Sequence, residues 1–166
     1  MKANSLHCHG KRADTFVQKG NTTMAQQKLT QLADAESRRL ATLEKRYRNA
    51  ARIQIESRVT HYHPITGGNY TSVTIRDQKS RWGSCSSRGT LSFNYRLIFA
   101  PPVVLDYVVV HELCHLTQMN HSRDFWDMVA SVMPDYKIQK TWLREHGHEL
   151  TLENHLRRLG IPVTLD

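Results

Sequence analysis

From about Thr23 to Ser57, apolar residues recur at the spacing of a helix. Leu29, Leu32, Leu40, Leu43, Tyr47 and Ala51 share one stripe at 3.6-residue periodicity, while Arg38, Lys45, Arg46 and Arg48 lie mainly off it. No Pro or Gly interrupts the segment, and Ala, Gln, Leu, Glu and Arg supply intrinsic helix propensity, so one long helix is predicted. Glu36 falls inside the stripe, at a flaring edge of the packing or paired with a basic residue. Beyond His61-Tyr62-His63-Pro64 the pattern changes. Gly67-Gly68-Asn69 signals a turn, Tyr70 to Arg76 is rich in strand formers, and Asp77 to Gly83 reads as a polar link. From Thr90 to Phe99 the alternation is nearly perfect, with Leu91, Phe93, Tyr95, Leu97 and Phe99 on one face and Thr90, Ser92, Asn94 and Arg96 on the other. That pattern predicts an antiparallel strand packed on one side only.

Pro101 and Pro102 stop the strand, and a helix is predicted from near Val103 to about Met119, with Asn120 at its end. Ser122 is a credible N-cap for the next helix, with Asp124 in its first turn. Phe125, Trp126, Val129 and Met133 form that helix's buried face before Pro134 ends it. A final helical stretch or pair covers about Ile138–Leu159, with breaks at Gly147 and Gly160. The predicted fold class is α+β: a compact domain with a long N-terminal helix, a small mainly antiparallel sheet, a central helix and C-terminal helices.

Composition narrows this picture. The chain has 166 residues, of which 39% are hydrophobic, enough for one ordinary core. Residues 1–23 show no period and are read as a flexible basic tail ahead of a single domain spanning 24–166. No run approaches the roughly 20 apolar residues a bilayer crossing needs, so no membrane contact is expected. The first residues hold no apolar signal segment, which makes cytoplasmic residence the expectation. Cys8, Cys85 and Cys114 are odd in number and widely spaced, which suits reduced thiols rather than a disulfide framework. The formal charge is +8, and residues 1–60, with 12 Lys/Arg against 5 Asp/Glu, carry a net of +7. Such a surface suits nucleic acid or an acidic partner, or simply a solvated helix face.

The chemistry is concentrated in Val110-His111-Glu112-Leu113-Cys114-His115-Leu116-Thr117-Gln118-Met119-Asn120-His121. His111 and His115 are four apart on a helix, so their imidazoles project from one side as a ready pair of ligands for a divalent metal, zinc above all. Glu112 stands about 100° around the same helix, able to reach metal-bound water without being a ligand. This is HExxH. A reversal at Asn120 would return His121 as third ligand and leave one position open for water. Glu145 and Glu149, from the following helical region, are the rivals for that place. His7, Cys8 and His9 form a weaker, adventitious candidate in the tail.

The longer strings Val104 through Trp126, VLDYVVVHELCHLTQMNHSRDFW, and Lys79 through Asn94, KSRWGSCSSRGTLSFN, resemble the YgjP-like metallopeptidase domain, related to the SprT-like and zincin peptidases. The resemblance covers about residues 55–146 and implies a zincin-like peptidase fold. It implies one Zn²⁺, His111, His115 and His121 as its ligands, and Glu112 as catalytic base; the substrate does not come with the family name, and an extended polypeptide is read instead from the open strand beside that helix. The chain departs from the metzincin pattern HExxHxxGxxH at Gln118, where those enzymes have glycine. A residue with a Cβ takes the left-handed turn less readily, so the helix is expected to run on and reverse at Asn120.

Strand 90–96 could add an extended peptide by main-chain pairing, with Ser92, Asn94 and Arg96 lining the cleft, or could be an ordinary edge. Trp82-Gly83-Ser84-Cys85 reads as a compact turn, with Trp82 plugging the core and Cys85 structural; Cys114 is expected to be a small core residue. Arg81, Arg96, His146 and His148 are candidates for stabilising a negatively charged intermediate. The function expected is zinc-dependent hydrolysis of peptide bonds. The alternative is a nucleic-acid-associated binding protein with a structural or vestigial zinc, resting on Lys45, Arg46, Arg48 and Arg52 along one helix.

Overall fold

The structure is a computed structural model that describes residues 15–163, with side chains from 23 onward. The chain divides into two units, one reaching Arg39 and the other running from Leu40. The tail residues His7, Cys8 and His9 lie outside the described residues.

Helix α1 spans Thr15–Thr66, longer at both ends than the periodicity predicts. It continues through Pro64 and ends just before Gly67. That glycine takes a φ of +72°, and its N–H closes the helix on the His63 carbonyl at 2.9 Å. Pro64 sits in the last turns, where its missing N–H removes one hydrogen bond.

In the first unit, α1 is held by local contacts. Thr30 Oγ1 donates to the Gln26 carbonyl, Arg38 Nε donates to the Asp34 carbonyl, and Glu36 pairs with Arg39 at 3.1 Å. Leu29 and Leu32 are exposed here, at 61% and 42%.

In the second unit the stripe turns inward, with Leu40, Leu43 and Tyr47 half-buried. Ala51, Ile55 and Val59 are four residues apart and almost fully enclosed. Tyr47 packs edge-on against Phe99 and bonds to His155 Nε2 at 3.0 Å. Of the basic row predicted on this helix, Arg48 is tied to Glu44 and Asp77 and lies over the Tyr95 ring, and Arg52 pairs with Glu56.

Three short strands follow: β1 (Ser72–Arg76), β2 (Gly83–Cys85) and β3 (Thr90–Asn94). Their order is β1-β3-β2, with β1 parallel and β2 antiparallel to β3. The sheet is therefore mixed rather than mainly antiparallel. The segment read as a compact turn, from Trp82 to Cys85, contains the edge strand β2. The predicted strand 90–99 ends at Asn94, whose Oδ1 accepts from the Arg96 N–H and starts a 3₁₀ turn over Tyr95–Phe99. Tyr95 and Leu97 are still buried, so the alternating set points inward although the backbone has left the strand.

Helix α2 (Pro102–Cys114) runs through the middle of this unit. Apolar on nearly every side, it packs against the sheet and against α3 (Arg123–Val132) and α4 (Tyr136–His146). Gly147 ends α4, as predicted, and a 3₁₀ turn (Gly147–Glu149) leads to α5 (Leu152–Arg158). Leu91, Phe93, Val108, Val109, Leu113, Phe125 and Leu143 belong to one core with Ile55 and Val59. Cys114 is fully buried in it, and burial pushes its thiol up to about 11. Among the described residues, no helix is long and apolar enough to cross a membrane.

Candidate metal centre

α2 presents His111 and His115 one turn apart near its C-terminal end. The helix stops at Cys114, sooner than Met119. His115 is its C-cap, and turn hydrogen bonds from Leu116, Thr117 and Gln118 back to Leu113 and Cys114 follow. The chain then reverses. Asn120 Oδ1 accepts from the Ser122 N–H at 3.2 Å, and Ser122 Oγ accepts from the Phe125 N–H, so an Asx turn and the predicted N-cap together place His121 between α2 and α3.

These elements bring three imidazoles to one point. The Nε2 atoms of His111, His115 and His121 lie 3.2, 3.2 and 3.1 Å apart pairwise. His115 Nδ1 donates to the Gln118 carbonyl at 2.9 Å, which leaves its Nε2 a bare lone pair facing the others. With that proton committed, hydrogen bonds cannot satisfy the triangle. Whichever neutral tautomers His111 and His121 adopt, at least one edge sets lone pair against lone pair or N–H against N–H. A cation shared by the three lone pairs removes the conflict. Burial, the neighbouring imidazoles and Lys140 lower the His111 pKa to about 3, and burial, His115 and Lys140 also lower that of His121. Both rings are therefore neutral donors at ordinary pH.

Aromatic rings fix the imidazoles. Phe125, fully buried on α3, stacks on His115 with centroids 4.4 Å apart and meets His111 and His121 edge-on. Trp126 stacks on His121, Tyr136 stacks on Trp126 from α4, and Lys140 lies 4.1 Å over the same indole. Among the described residues, the cluster that could hold a metal ion contains these three histidines and no carboxylate. Glu145 pairs instead with Arg144, and Glu149 with His146.

Glu112 is 5% exposed on the adjoining face of α2. Burial pushes its carboxyl up to about 8, with the Arg81 guanidinium opposing the shift. It lines a cavity of about 210 Å³ with His111, Tyr107, Val108, Trp82, Gly83 and Leu143. A Cβ on Gly83 would come 2.5 Å from Glu112 Oε1, so β2 reaches this close to the carboxyl only because it has glycine there. The sequence reading missed Gly83; a lone glycine opening a strand beside a motif helix was the available sign of a close backbone approach. Cys85, further along β2, feels Glu112 as well: burial first, then that carboxylate, raises its thiol pKa.

The proposed cleft residues are placed otherwise. β3 is the central strand with both edges paired, so it cannot accept an added strand. Ser92 Oγ is bonded to Thr74 Oγ1 at 2.8 Å across the β1 pairing. Asn94, 3% exposed, caps the 3₁₀ turn and donates to the Gln78 and Arg81 carbonyls, while Arg96 is held by Asp77 at 2.9 Å. Of the other candidates, Arg81 and His148 line a second cavity beyond Trp82, whereas His146 is paired with Glu149.

Residues 2–146 match the family described as YgjP-like, metallopeptidase domain. Among solved structures, the chain is similar to the crystal structure of the metallopeptidase zymogen of Pyrococcus abyssi abylysin, with a TM-score of 0.50 and 26% identity. That similarity covers 55% of this chain and 93% of the other. No curated protein matches the chain significantly.

Proposed function

The chain belongs to the YgjP-like metallopeptidase family, and we propose that it hydrolyses peptide bonds with Zn²⁺ held by His111, His115 and His121 and with Glu112 as general base. The observation that carries this reading is the triangle of Nε2 atoms with edges of 3.1–3.2 Å. Zn–N bonds of about 2.0–2.1 Å in a tetrahedron imply edges of roughly 3.3–3.4 Å, close to those found. Bound there, zinc supplies a Lewis acid that lowers the pKa of water and polarises a carbonyl.

The remaining chemistry belongs to the chain. Glu112, beside the triad and walled by Gly83 and Tyr107, accepts a proton from the attacking water and returns it to the leaving amine. Its burial favours the protonated form. Arg81 pulls the opposite way, and any cation at the triad adds to that pull, which brings the carboxyl into the range where it can do both. The substrate adds along β2, the edge strand next to Glu112, rather than along β3.

Metal content and peptide hydrolysis measured together test the assignment. Glu112→Gln is expected to keep its zinc and to lose activity by about 10²–10⁴-fold. His121→Ala is expected to lose tight zinc while Glu149→Ala retains it. A fully active Glu112→Gln protein removes the base, and a zinc-tight His121→Ala protein removes the third ligand.

A further inference from the structure

A second cavity of about 490 Å³ lies beyond Trp82, and its lining includes Lys79, Arg81, Arg96, Arg144 and His148. No acidic side chain lines it. Arg96 is paired with Asp77, and Arg144 with the exposed Glu145 at 3.3 Å. Among the ion pairs of the described residues, none involves Lys79 or Arg81, although Arg81 also acts on Glu112 across the shared wall, so Lys79 and Arg81 bring positive charge to this end of the cavity.

Trp82 and Leu143 line both this cavity and the smaller one holding His111 and Glu112, so the two adjoin. The Trp82 ring is packed where a Cβ on Gly147 would come 2.9 Å from it, which pins the shared wall in place. β2 runs from Gly83 to Cys85, and the cationic Lys79 and Arg81 come just before it. A peptide added to β2 in the more stable antiparallel sense enters near Cys85 and leaves past Gly83 towards Arg81. Its C-terminal portion then reaches the cationic cavity.

We infer that the cavity beyond Trp82 binds a carboxylate of the substrate on the C-terminal side of the cleaved bond. This rests on the peptidase reading above. The carboxylate comes either from a free C-terminus or from an acidic side chain. Lys79, Arg81 and Arg144 supply charged donors to it, and a peptide ending in an amide or carrying a neutral residue leaves them unanswered.

Binding to zinc-loaded Glu112→Gln protein tests this without requiring turnover. Three fluorescent hexapeptides sharing their first five residues serve as probes: one with a neutral last residue and a free-acid C-terminus, the same peptide as a C-terminal amide, and an amide with Glu as its last residue. The free-acid or the Glu form is expected to bind about tenfold more tightly than the plain amide, and whichever does identifies the source of the carboxylate. Adding Lys79→Gln and Arg144→Gln together is expected to bring the ratio near one, while Lys79→Arg with Arg144→Lys keeps it. Equal affinity for the three peptides overturns the inference, as does a preference that survives the Gln pair. Tight binding of a single-stranded oligonucleotide that competes with no peptide, yet is lost in the Gln pair, assigns the cavity to phosphate and overturns it too. If the carboxylate preference holds while metal-loaded wild type cleaves no peptide, the reaction assignment fails and the anion site stands.

Discussion

Two helical stretches break the ordinary rule of burial in opposite directions. α2 is apolar on nearly every side and lies in the core, yet Glu112 is 5% and His115 8% exposed within or at the end of it. In α1 up to Arg39, Met24, Leu29 and Leu32 are 71%, 61% and 42% exposed. Buried polar groups are costly and have to be answered by a partner, whereas scattered apolar groups in water cost little. The two departures therefore differ in what they say. In α2 His115 meets His111 and His121 at 3.2 Å while Glu112 lines the adjoining cavity with His111, and so these groups define a site. In the first stretch of α1 they define only a helix face.

That contrast can be broken at several points. The largest effect is expected from His111→Ala, which removes one of the three proposed ligands. Zinc affinity should fall roughly 10³-fold, about a third of the 10–16 kcal/mol typical of a structural zinc site, as read by competition with a chelator. If zinc binding survives, the buried imidazoles of α2 need another explanation. Next is Gly83→Ala, whose methyl would displace the Glu112 carboxyl. Hydrolysis should fall about 10–100-fold at unchanged zinc content, an effect below the roughly 10²–10⁴-fold general-base range because the carboxyl is misplaced rather than deleted.

Asp106 sharpens the comparison, because it is another polar group on α2 but has a partner, Arg58 at 3.1 Å. Burial nevertheless outweighs Arg58 and the Tyr62 hydrogen bond and raises its pKa above 3.8. The native state then holds a proton that the unfolded chain releases, so this group's contribution is full below pH 3.8 and fades as pH rises through the raised value. Asp106→Asn should gain melting temperature relative to wild type across that window; a relative loss would show that the ion pair dominates. The smallest effect is expected for Leu29→Ser with Leu32→Ser, within about 0.5 kcal/mol in denaturant unfolding. A clearly larger loss would mean that this face is covered in solution.

The motif residues were legible because one turn of helix fixes the relation between His111 and His115 whatever surrounds them. The Ser122 cap and the Gly147 break were legible for the same reason: each depends on its own backbone neighbours. His121 needed only a short reversal, and Asn120 and Ser122 supplied it with local hydrogen bonds. What escaped depends on residues far apart in the chain. The alternation from Leu91 to Leu97 named the buried side chains correctly, but period two says nothing about the Asn94 cap that turns the backbone into a 3₁₀ helix. Nor does it say that β1 pairs in parallel and takes the edge from β3. β2, at three residues, is too short to carry a pattern, and the role of Gly83 exists only once β2 lies against α2.

The hydrogen bond from His115 to the Gln118 carbonyl has a consequence for how the centre tolerates change. Its acceptor is main chain, and every amino acid at position 118 brings the same oxygen. The tautomer of His115 is thus insulated from point substitution, and sequence drift can retune this centre chiefly through the surroundings of His111 and His121.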